Sequence, residues 1–134
     1  MRLRRSCHVV PGAHERMLAK ALTLPADEVI LDLEDAVAPQ QKPTARGMVA
    51  SALRRGGFAA PTVAVRINAV DGPHAHRDLI DAVGAAPSGV GIVVVPKVES
   101  PAELAFVDHL LAGIEHDHRI PVGTIGLEAQ IESA

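Results

Sequence analysis

Short runs of β-branched and other apolar residues recur along the chain, and mixed polar and apolar stretches separate them. The runs cover residues 6–10, 29–33, 62–67, 91–95 and 124–131. The last four begin at intervals of about 30 residues, the size of a strand–helix–strand unit. "VAVRI" and "GIVVVP" are almost continuously apolar, as is typical of parallel strands covered on both faces. The pattern therefore predicts five parallel strands.

Apolar residues at helical spacing occupy the stretches between these strands. Three predicted faces are Met17-Leu18-Ala21-Leu22, Ala45-Met48-Val49-Ala52-Leu53 and Leu79-Ile80-Val83. A fourth helix has the clearest start, because Ser100 predicts an N-cap, Pro101 a first turn and Glu103 a capping box. Its apolar stripe is Leu104, Val107, Leu110, Leu111 and Ile114. Strands and helices thus alternate, which predicts an α/β fold with a parallel sheet.

Polar residues follow several of the predicted strands. They are Glu34, Asp35, Arg66, Asn68, Lys97, Glu132 and Ser133. Such a chain can form an open doubly wound sheet or a (β/α)8 barrel, and no G-x-G-x-x-G follows the first strand to support dinucleotide binding. In a barrel the carboxyl ends of the strands meet at one mouth, where the active site lies. The sequence therefore favours the TIM-barrel family, with these residues at the mouth.

The chain is short for a barrel. A complete one takes roughly 250 residues, and this chain has 134. Five strands leave an exposed edge, so the barrel is expected to be incomplete. We expect residues 1–134 to be a single domain, the N-terminal half of a TIM barrel in a truncated chain.

Composition excludes several classes of partner. The net charge of −3 and the presence of only two aromatic residues, Phe58 and Phe106, argue against nucleic-acid binding. No apolar run approaches the ~20 residues of a membrane span, and no signal-peptide core is visible, so we expect a cytoplasmic protein without a membrane partner. Cys7 is the sole cysteine, which rules out an internal disulfide, and we expect it to be a small buried apolar residue.

Several segments resemble the citrate lyase β-subunit-like branch of the HpcH/HpaI aldolase superfamily. They are "RRSCHVVPG" at 4–12, "KALTLPADEVILDLEDAVAPQQKPTAR" at 20–46, "VRIN" at 65–68, "VVPKVES" at 94–100 and "GLEAQIESA" at 126–134. "LDLEDAV" followed by a lysine and "AR" is the most specific of these. The resemblance implies a (β/α)8 barrel that uses Mg²⁺ to cleave or form a carbon–carbon bond in an acyl-CoA thioester. It covers only the N-terminal half of the family's usual length.

The resemblance also implies roles for individual residues. Glu132 corresponds to a metal-binding carboxylate, whose second ligand, an aspartate, would lie beyond this chain. Arg66 corresponds to an arginine that contacts the substrate, and Glu34 to a glutamate that orients this arginine and the water around the metal. From the residues alone, a solvated acid is the favoured interpretation of Glu132, and Arg66 is equally a partner of Glu34 or Asp35 in a salt bridge. Asp32 shares the strand parity of Glu34 and is expected to face inward, whereas Asp35 is expected to cap a turn or helix.

Four cations are candidates for the anionic part of a CoA substrate. They are Arg4, Arg5, Lys42 and Lys97. Arg5 and Lys42 are the preferred pair, because the resemblance implies an arginine before the first strand and a lysine after "LEDAV". A structural ion pair with Glu99 or with an acid of another strand is the favoured interpretation of Lys97.

The function implied by the resemblance is a Mg²⁺-dependent lyase of a 3-hydroxyacyl-CoA, such as citryl-CoA or malyl-CoA, that gives acetyl-CoA and an α-keto acid. The resemblance also implies a homo-oligomer, a trimer or hexamer, for the full-length protein. Two alternatives remain open at this point. One is a malyl-CoA thioesterase with the same metal, and the other is a non-catalytic fragment that binds a ligand or a partner.

Overall fold

The computed structural model describes residues 3–132, which form a five-stranded parallel sheet with helices in the connections. The strands are β1 (Cys7–Pro11), β2 (Glu28–Asp32), β3 (Thr62–Arg66), β4 (Ile92–Val95) and β5 (Gly126–Ala129). They pair in sequence order, β1-β2-β3-β4-β5. This confirms the predicted parallel α/β arrangement, although the strand ends differ by a few residues from the apolar runs.

Four helical connections carry the chain from one strand to the next. They are α1 (Glu15–Ala21), α2 (Lys42–Arg55), α3 (Ala75–Arg77, continued by a π-helical segment Asp78–Val83) and α4 (Pro101–Asp117). Short 3₁₀ turns at Pro39–Gln41 and Pro87–Gly89 precede α2 and β4. Among the described helices, none is long and apolar enough to cross a membrane.

The two faces of the sheet bury different residues. On the face that meets the helices, Val29, Leu31, Val65 and Val93 are completely buried within the main core. The opposite, inner face carries a smaller cluster of Ile30, Ala64 and Val94. Because side chains alternate along a strand, Asp32 shares the inner face with Ile30, and it is completely buried. This confirms the inward orientation predicted for Asp32.

Some side chains lie where the sequence did not predict them. Cys7 is exposed, because it begins the edge strand β1 on the inner face, so its prediction as a buried residue is wrong. Ile80 is also exposed although Leu79 and Val83 are buried. The i→i+5 bond from the Gly84 N–H to the Leu79 carbonyl shows the reason, since a π turn shifts the helical periodicity.

The start of α4 also differs in detail from the prediction. Ser100 makes no side-chain cap bond. The Glu103 carboxylate instead accepts the Glu99 N–H at 3.0 Å, one residue earlier than a capping box requires. Pro101 is in the first turn as predicted.

Candidate active site

The carboxyl ends of the strands bring together an ion-pair cluster that begins with Asp32 and Arg66. These residues are opposite one another in the β2–β3 register. The Arg66 Nε and Nη2 groups donate to the two Asp32 carboxylate oxygens, each at 2.7 Å. This is the bidentate geometry in which a guanidinium binds a carboxylate most strongly. The salt bridge predicted between Arg66 and Glu34 is present at 3.4 Å, and Asp32 is a further, closer partner that the sequence did not indicate.

The Asp32 carboxylate is held in its ionised form. Burial by itself would raise its pKa, but the two Arg66 bonds and the N–H groups of Glu34 and Ala36, at 2.9 and 3.0 Å, hold the pKa below its ordinary value. The same carboxylate raises the pKa of Arg66. Asp32 therefore fixes the guanidinium in one orientation and turns the remaining Nη1 group towards Glu34.

Glu34 extends the cluster to β4. Its carboxylate is nearly buried, with Oε2 3.4 Å from Arg66 Nη1 and Oε1 2.7 Å from Lys97 Nζ. Neither oxygen accepts a well-directed hydrogen bond from residues 3–132, although both lie within ion-pair distance. Buried carboxylate oxygens without hydrogen bonds are uncommon. The carboxylate oxygens of Glu34 can therefore accept hydrogen bonds from a bound group.

Lys97 connects the acids of β2 to the end of β5. Its ammonium also lies 3.3 Å from Asp35, and the carboxylates of Glu34 and Asp35 raise the pKa of Lys97. Its backbone N–H donates to the Glu132 carboxylate at 3.3 Å. The ion pair predicted for Lys97 is present, with the acids after β2 rather than with Glu99. Asp35 was predicted to cap a turn or helix. In the structure its carboxylate contacts Lys97 instead.

Glu132 lies exposed at the rim, beside Lys97. Ser133, also predicted at the rim, lies outside the described residues. Asp32, Glu34, Asp35 and Glu132 give four carboxylates against two cations, a formal charge of 2 − 4 = −2. In residues 3–132 no three His, Cys, Asp or Glu side chains converge closely enough to enclose a metal ion. Mg²⁺ needs only one or two protein carboxylates, because water and substrate oxygens complete its shell.

A buried polar network lies beneath this cluster, between β2, β3 and the helices. Lys42 is only 8% exposed, and its ammonium donates to the Leu33 carbonyl at 2.9 Å, the Glu34 carbonyl at 3.0 Å and the Asn68 side chain. Burial lowers the pKa of Lys42, and the surrounding carboxylates oppose this effect. Its predicted contact with a CoA substrate stays a prediction, and all three of its donors are used within the protein.

Asp78 completes the network from α3. It is fully buried, and it accepts hydrogen bonds from the Asn68 backbone and side chain and from Arg46 Nε. Burial raises the pKa of Asp78, while Asn68 and Arg46 oppose the shift. Sequence reasoning missed Asp78, whose available signal was an aspartate directly before an apolar helical face. It quoted Arg46 within the motif "AR" but gave this residue no role.

Arg5 is not brought to the cluster. It precedes β1 and therefore lies at the amino ends of the strands, where its side chain is 91% exposed and its backbone N–H donates to Asp27. Arg4 is at the same end, between Glu28 at 2.8 Å and Glu128 at 2.6 Å. The proposed contact of Arg5 with substrate stays a prediction.

Comparison with known proteins gives consistent matches over nearly the whole chain. The profile of the HpcH/HpaI aldolase/citrate lyase family matches residues 5–134. The citrate lyase subunit beta of Leuconostoc mesenteroides is 37% identical over 133 residues, 99% of this chain and 43% of that protein. The L-malyl-CoA/beta-methylmalyl-CoA lyase of Cereibacter sphaeroides is 34% identical over 105 residues, 78% of this chain and 33% of the enzyme. The chain thus spans less than half the length of these relatives.

Solved structures give the same fold. The citrate lyase beta subunit of M. tuberculosis, complexed with oxaloacetate and magnesium, matches 96% of this chain and 60% of its own with a TM-score of 0.65 and 28% identity. Malate synthase of Haloferax volcanii matches 98% of this chain and 42% of its own with a TM-score of 0.86 at 22% identity, which supports the fold alone. The five strands therefore correspond to part of a TIM-barrel-like lyase fold, as predicted.

Proposed function

The chain belongs to the HpcH/HpaI aldolase/citrate lyase family, and from this premise we propose that it contributes to a Mg²⁺-dependent lyase site for a 3-hydroxyacyl-CoA. Citryl-CoA or malyl-CoA is the proposed type of substrate, and acetyl-CoA and an α-keto acid are the products. The observation that carries the proposal is the Asp32–Arg66–Glu34–Lys97 cluster at the carboxyl ends of β2, β3 and β4. Relatives named citrate lyase subunit beta and malyl-CoA lyase support the thioester class.

Arg66 has the central role in the proposed reaction. Asp32 binds its Nε and Nη2 groups, and Nη1 faces Glu34 at 3.4 Å. The outer edge of the guanidinium, between Nη1 and Nη2, would therefore bind the substrate carboxylate or the negative charge that develops. When the hydroxyl proton leaves, a carbonyl forms and the adjacent carbon–carbon bond breaks. The electron pair passes to the acetyl-CoA fragment as an enolate, which then takes up a proton.

Glu34 and Glu132 are the proposed acidic groups around the metal. Glu132 would hold Mg²⁺ as a ligand, and Glu34, whose carboxylate lies 3.4 Å from Arg66 and 2.7 Å from Lys97, would orient Arg66 and the water around the metal. When bound, Mg²⁺ acts as a Lewis acid for substrate oxygens and as a template for their orientation. An acyl-CoA substrate, assembly as a trimer or hexamer, and a cytoplasmic location stay predictions.

The test is an assay of the native protein that contains this chain, purified from its source cells, with malyl-CoA and citryl-CoA. We expect Mg²⁺-dependent release of acetyl-CoA and keto acid, which EDTA abolishes. Arg66→Lys should lower kcat/KM by about 10²–10³-fold, because an ammonium cannot reproduce the guanidinium fork. Arg54→Lys, an exposed arginine on α2, is the matched control and should have wild-type activity.

The products separate the alternatives. Free CoA together with malate would show a thioesterase, and Mg²⁺-dependent release of a keto acid would exclude a non-catalytic fragment. Glu132→Gln should raise the Mg²⁺ concentration for half-maximal rate by about tenfold or more, since it removes a charged oxygen ligand. Unchanged metal dependence in this variant would exclude Glu132 as a ligand.

A further inference from the structure

We infer that Asp78 is a positioning residue for the candidate active site and that it acts through Asn68 and Lys42. Asp78 touches neither Arg66 nor Glu34 in the hydrogen bonds and ion pairs of residues 3–132. We call Asp78, Asn68 and Lys42 the Asp78 relay. These residues link α3 to the carboxyl end of β2. The relay determines where the Glu34 backbone lies relative to Arg66.

The first step of the relay is the contact of Asp78 with Asn68. One carboxylate oxygen of Asp78 accepts both the Asn68 backbone N–H at 2.8 Å and the Asn68 Nδ2 at 2.6 Å. The same Nδ2 donates to the Leu33 carbonyl at 2.9 Å. Two acceptors therefore hold the amide nitrogen on one side, and this turns the amide oxygen towards Lys42. Arg46, at 3.1 Å from the second Asp78 oxygen, balances the buried charge.

The second step is the contact of Lys42 with the backbone. Its ammonium has three donors, and these bind the Asn68 amide oxygen and the carbonyls of Leu33 and Glu34. No donor remains for a substrate phosphate in this arrangement. The lysine instead holds the peptide groups directly after β2, the strand end that carries Glu34. Lys42 is therefore a positioning residue as well, rather than a substrate contact.

The relay ends where the active-site cluster begins. The Glu34 N–H donates to Asp32 at 2.9 Å, and Asp32 in turn holds Arg66. The Glu34 N–H belongs to the same peptide group as the Leu33 carbonyl that Lys42 binds. The Leu33 N–H, in the preceding peptide group, donates to the Arg66 carbonyl at 2.9 Å. A displacement of the peptide that Lys42 binds moves Glu34 relative to the guanidinium, and a 1 Å error in a site costs roughly 10²-fold in rate.

Hydrogen exchange of the chain, followed by NMR, tests the relay without any assay of activity. Asp78→Asn and Lys42→Met are the test variants, with exposed Asp81→Asn and Lys20→Met as matched controls. We expect exchange of the Glu34 N–H to accelerate by about tenfold or more in both test variants, because the loop loses its anchoring bonds. Amides of β4 and β5 should keep their wild-type rates, and both controls should match the wild type throughout.

Other exchange patterns overturn the inference. Equal acceleration of amide exchange in all strands would show that Asp78 only stabilises the fold. Unchanged exchange of the Glu34 N–H would show that Asp78 does not position the end of β2. If Asp78→Asn does not fold, Lys42→Met carries the same test, because methionine keeps most of the lysine volume while it removes the ammonium.

A kinetic arm rests on the proposed lyase function. In the native protein, Lys42→Met should lower kcat by about 10–100-fold with KM within about threefold, as a misplaced cluster predicts. A raised KM with unchanged kcat and unchanged Glu34 exchange would make Lys42 a substrate contact and overturn the relay. If the wild type shows no turnover, the proposed function fails, and the exchange pattern alone still decides the relay.

Discussion

Replacement of Asp32 by asparagine is the most informative perturbation of the cluster. The carboxylate is completely buried and accepts four hydrogen bonds, from Arg66 Nε and Nη2 at 2.7 Å and from the N–H groups of Glu34 and Ala36 at 2.9 and 3.0 Å. Each oxygen takes one bond from the guanidinium and one from the backbone. Asparagine presents an NH₂ group in place of one oxygen, so two donors lose their acceptor and Arg66 loses its main counter-charge.

The expected cost follows from these contacts. Removal of one partner of a buried ion pair costs about 3–5 kcal/mol, because the other charge stays buried without that partner. Arg66 would keep only the longer contact with Glu34, at 3.4 Å. We therefore expect Asp32→Asn to lower the free energy of unfolding by about 3–5 kcal/mol, measured by urea denaturation at neutral pH. Asp35→Asn is the control, since its side chain is 68% exposed, and it should change the free energy by less than about 1 kcal/mol.

The pH dependence provides a second measurement of the same interaction. The pKa of Asp32 is lower in the folded protein than in the unfolded chain, so its contribution is present above the unfolded value, about 3.9. It is lost as pH falls through the folded pKa. The wild type should therefore lose this stability at acidic pH, and Asp32→Asn should lack that part of the dependence.

A double variant completes the test. Asp32→Asn combined with Arg66→Met removes both charges, so its destabilisation should be clearly smaller than the sum of the two single changes. The reasoning is refuted if Asp32→Asn is within about 1 kcal/mol of the wild type, or if the two changes are additive.

Four further substitutions test other parts of the chain. Gly12→Ala should destabilise by about 1–3 kcal/mol in urea denaturation, because a Cβ would lie 2.6 Å from a backbone carbonyl oxygen of β2. Gly113→Ala on α4 meets nothing within 4 Å and should be neutral or stabilising, and the opposite order would contradict the packing argument. Lys97→Met removes a cation from among the acids and should tighten Mg²⁺ binding in calorimetry, and weaker binding would count against the charge argument. The bond to Glu28 raises the pKa of the Cys7 thiol, so Glu28→Gln should speed its alkylation at neutral pH, and an unchanged rate would rule out this bond.

The local chemistry of the strand ends was accessible from the sequence. Period-two alternation predicts that Asp32 and Glu34 share the inner face, and the acid–base composition of the rim predicts ion pairs for Arg66 and Lys97. The sequence could not identify Asp32 as the bidentate partner of Arg66. That pairing depends on the lateral register of β2 and β3, in which the two residues are opposite one another. Alternation along one strand contains no information about the stagger of its neighbour.

The buried network of Lys42, Asn68 and Asp78 could not be predicted from the sequence. Lys42 was predicted as a candidate cation for the anionic part of a CoA substrate, and that contact stays a prediction. Its burial depends on Asn68, which is 26 residues further along the chain, and on Asp78, another 10 residues beyond. Composition indicates that a lysine is charged, but only the packing of α2 and α3 against β2 and β3 shows whether that charge meets solvent or three internal acceptors.

The amino-acid sequence by itself determined the order of strands and helices, the parallel sheet, the polar strand ends and the family resemblance. Each of these is a local or periodic property, which short-range sterics and burial impose on consecutive residues. The tertiary structure alone decided that Asp32 holds Arg66, that Lys42 is internal, that Asp78 binds Asn68 and Arg46, and that Cys7 is exposed. These contacts join residues distant in the chain, and they depend on strand register and helix packing.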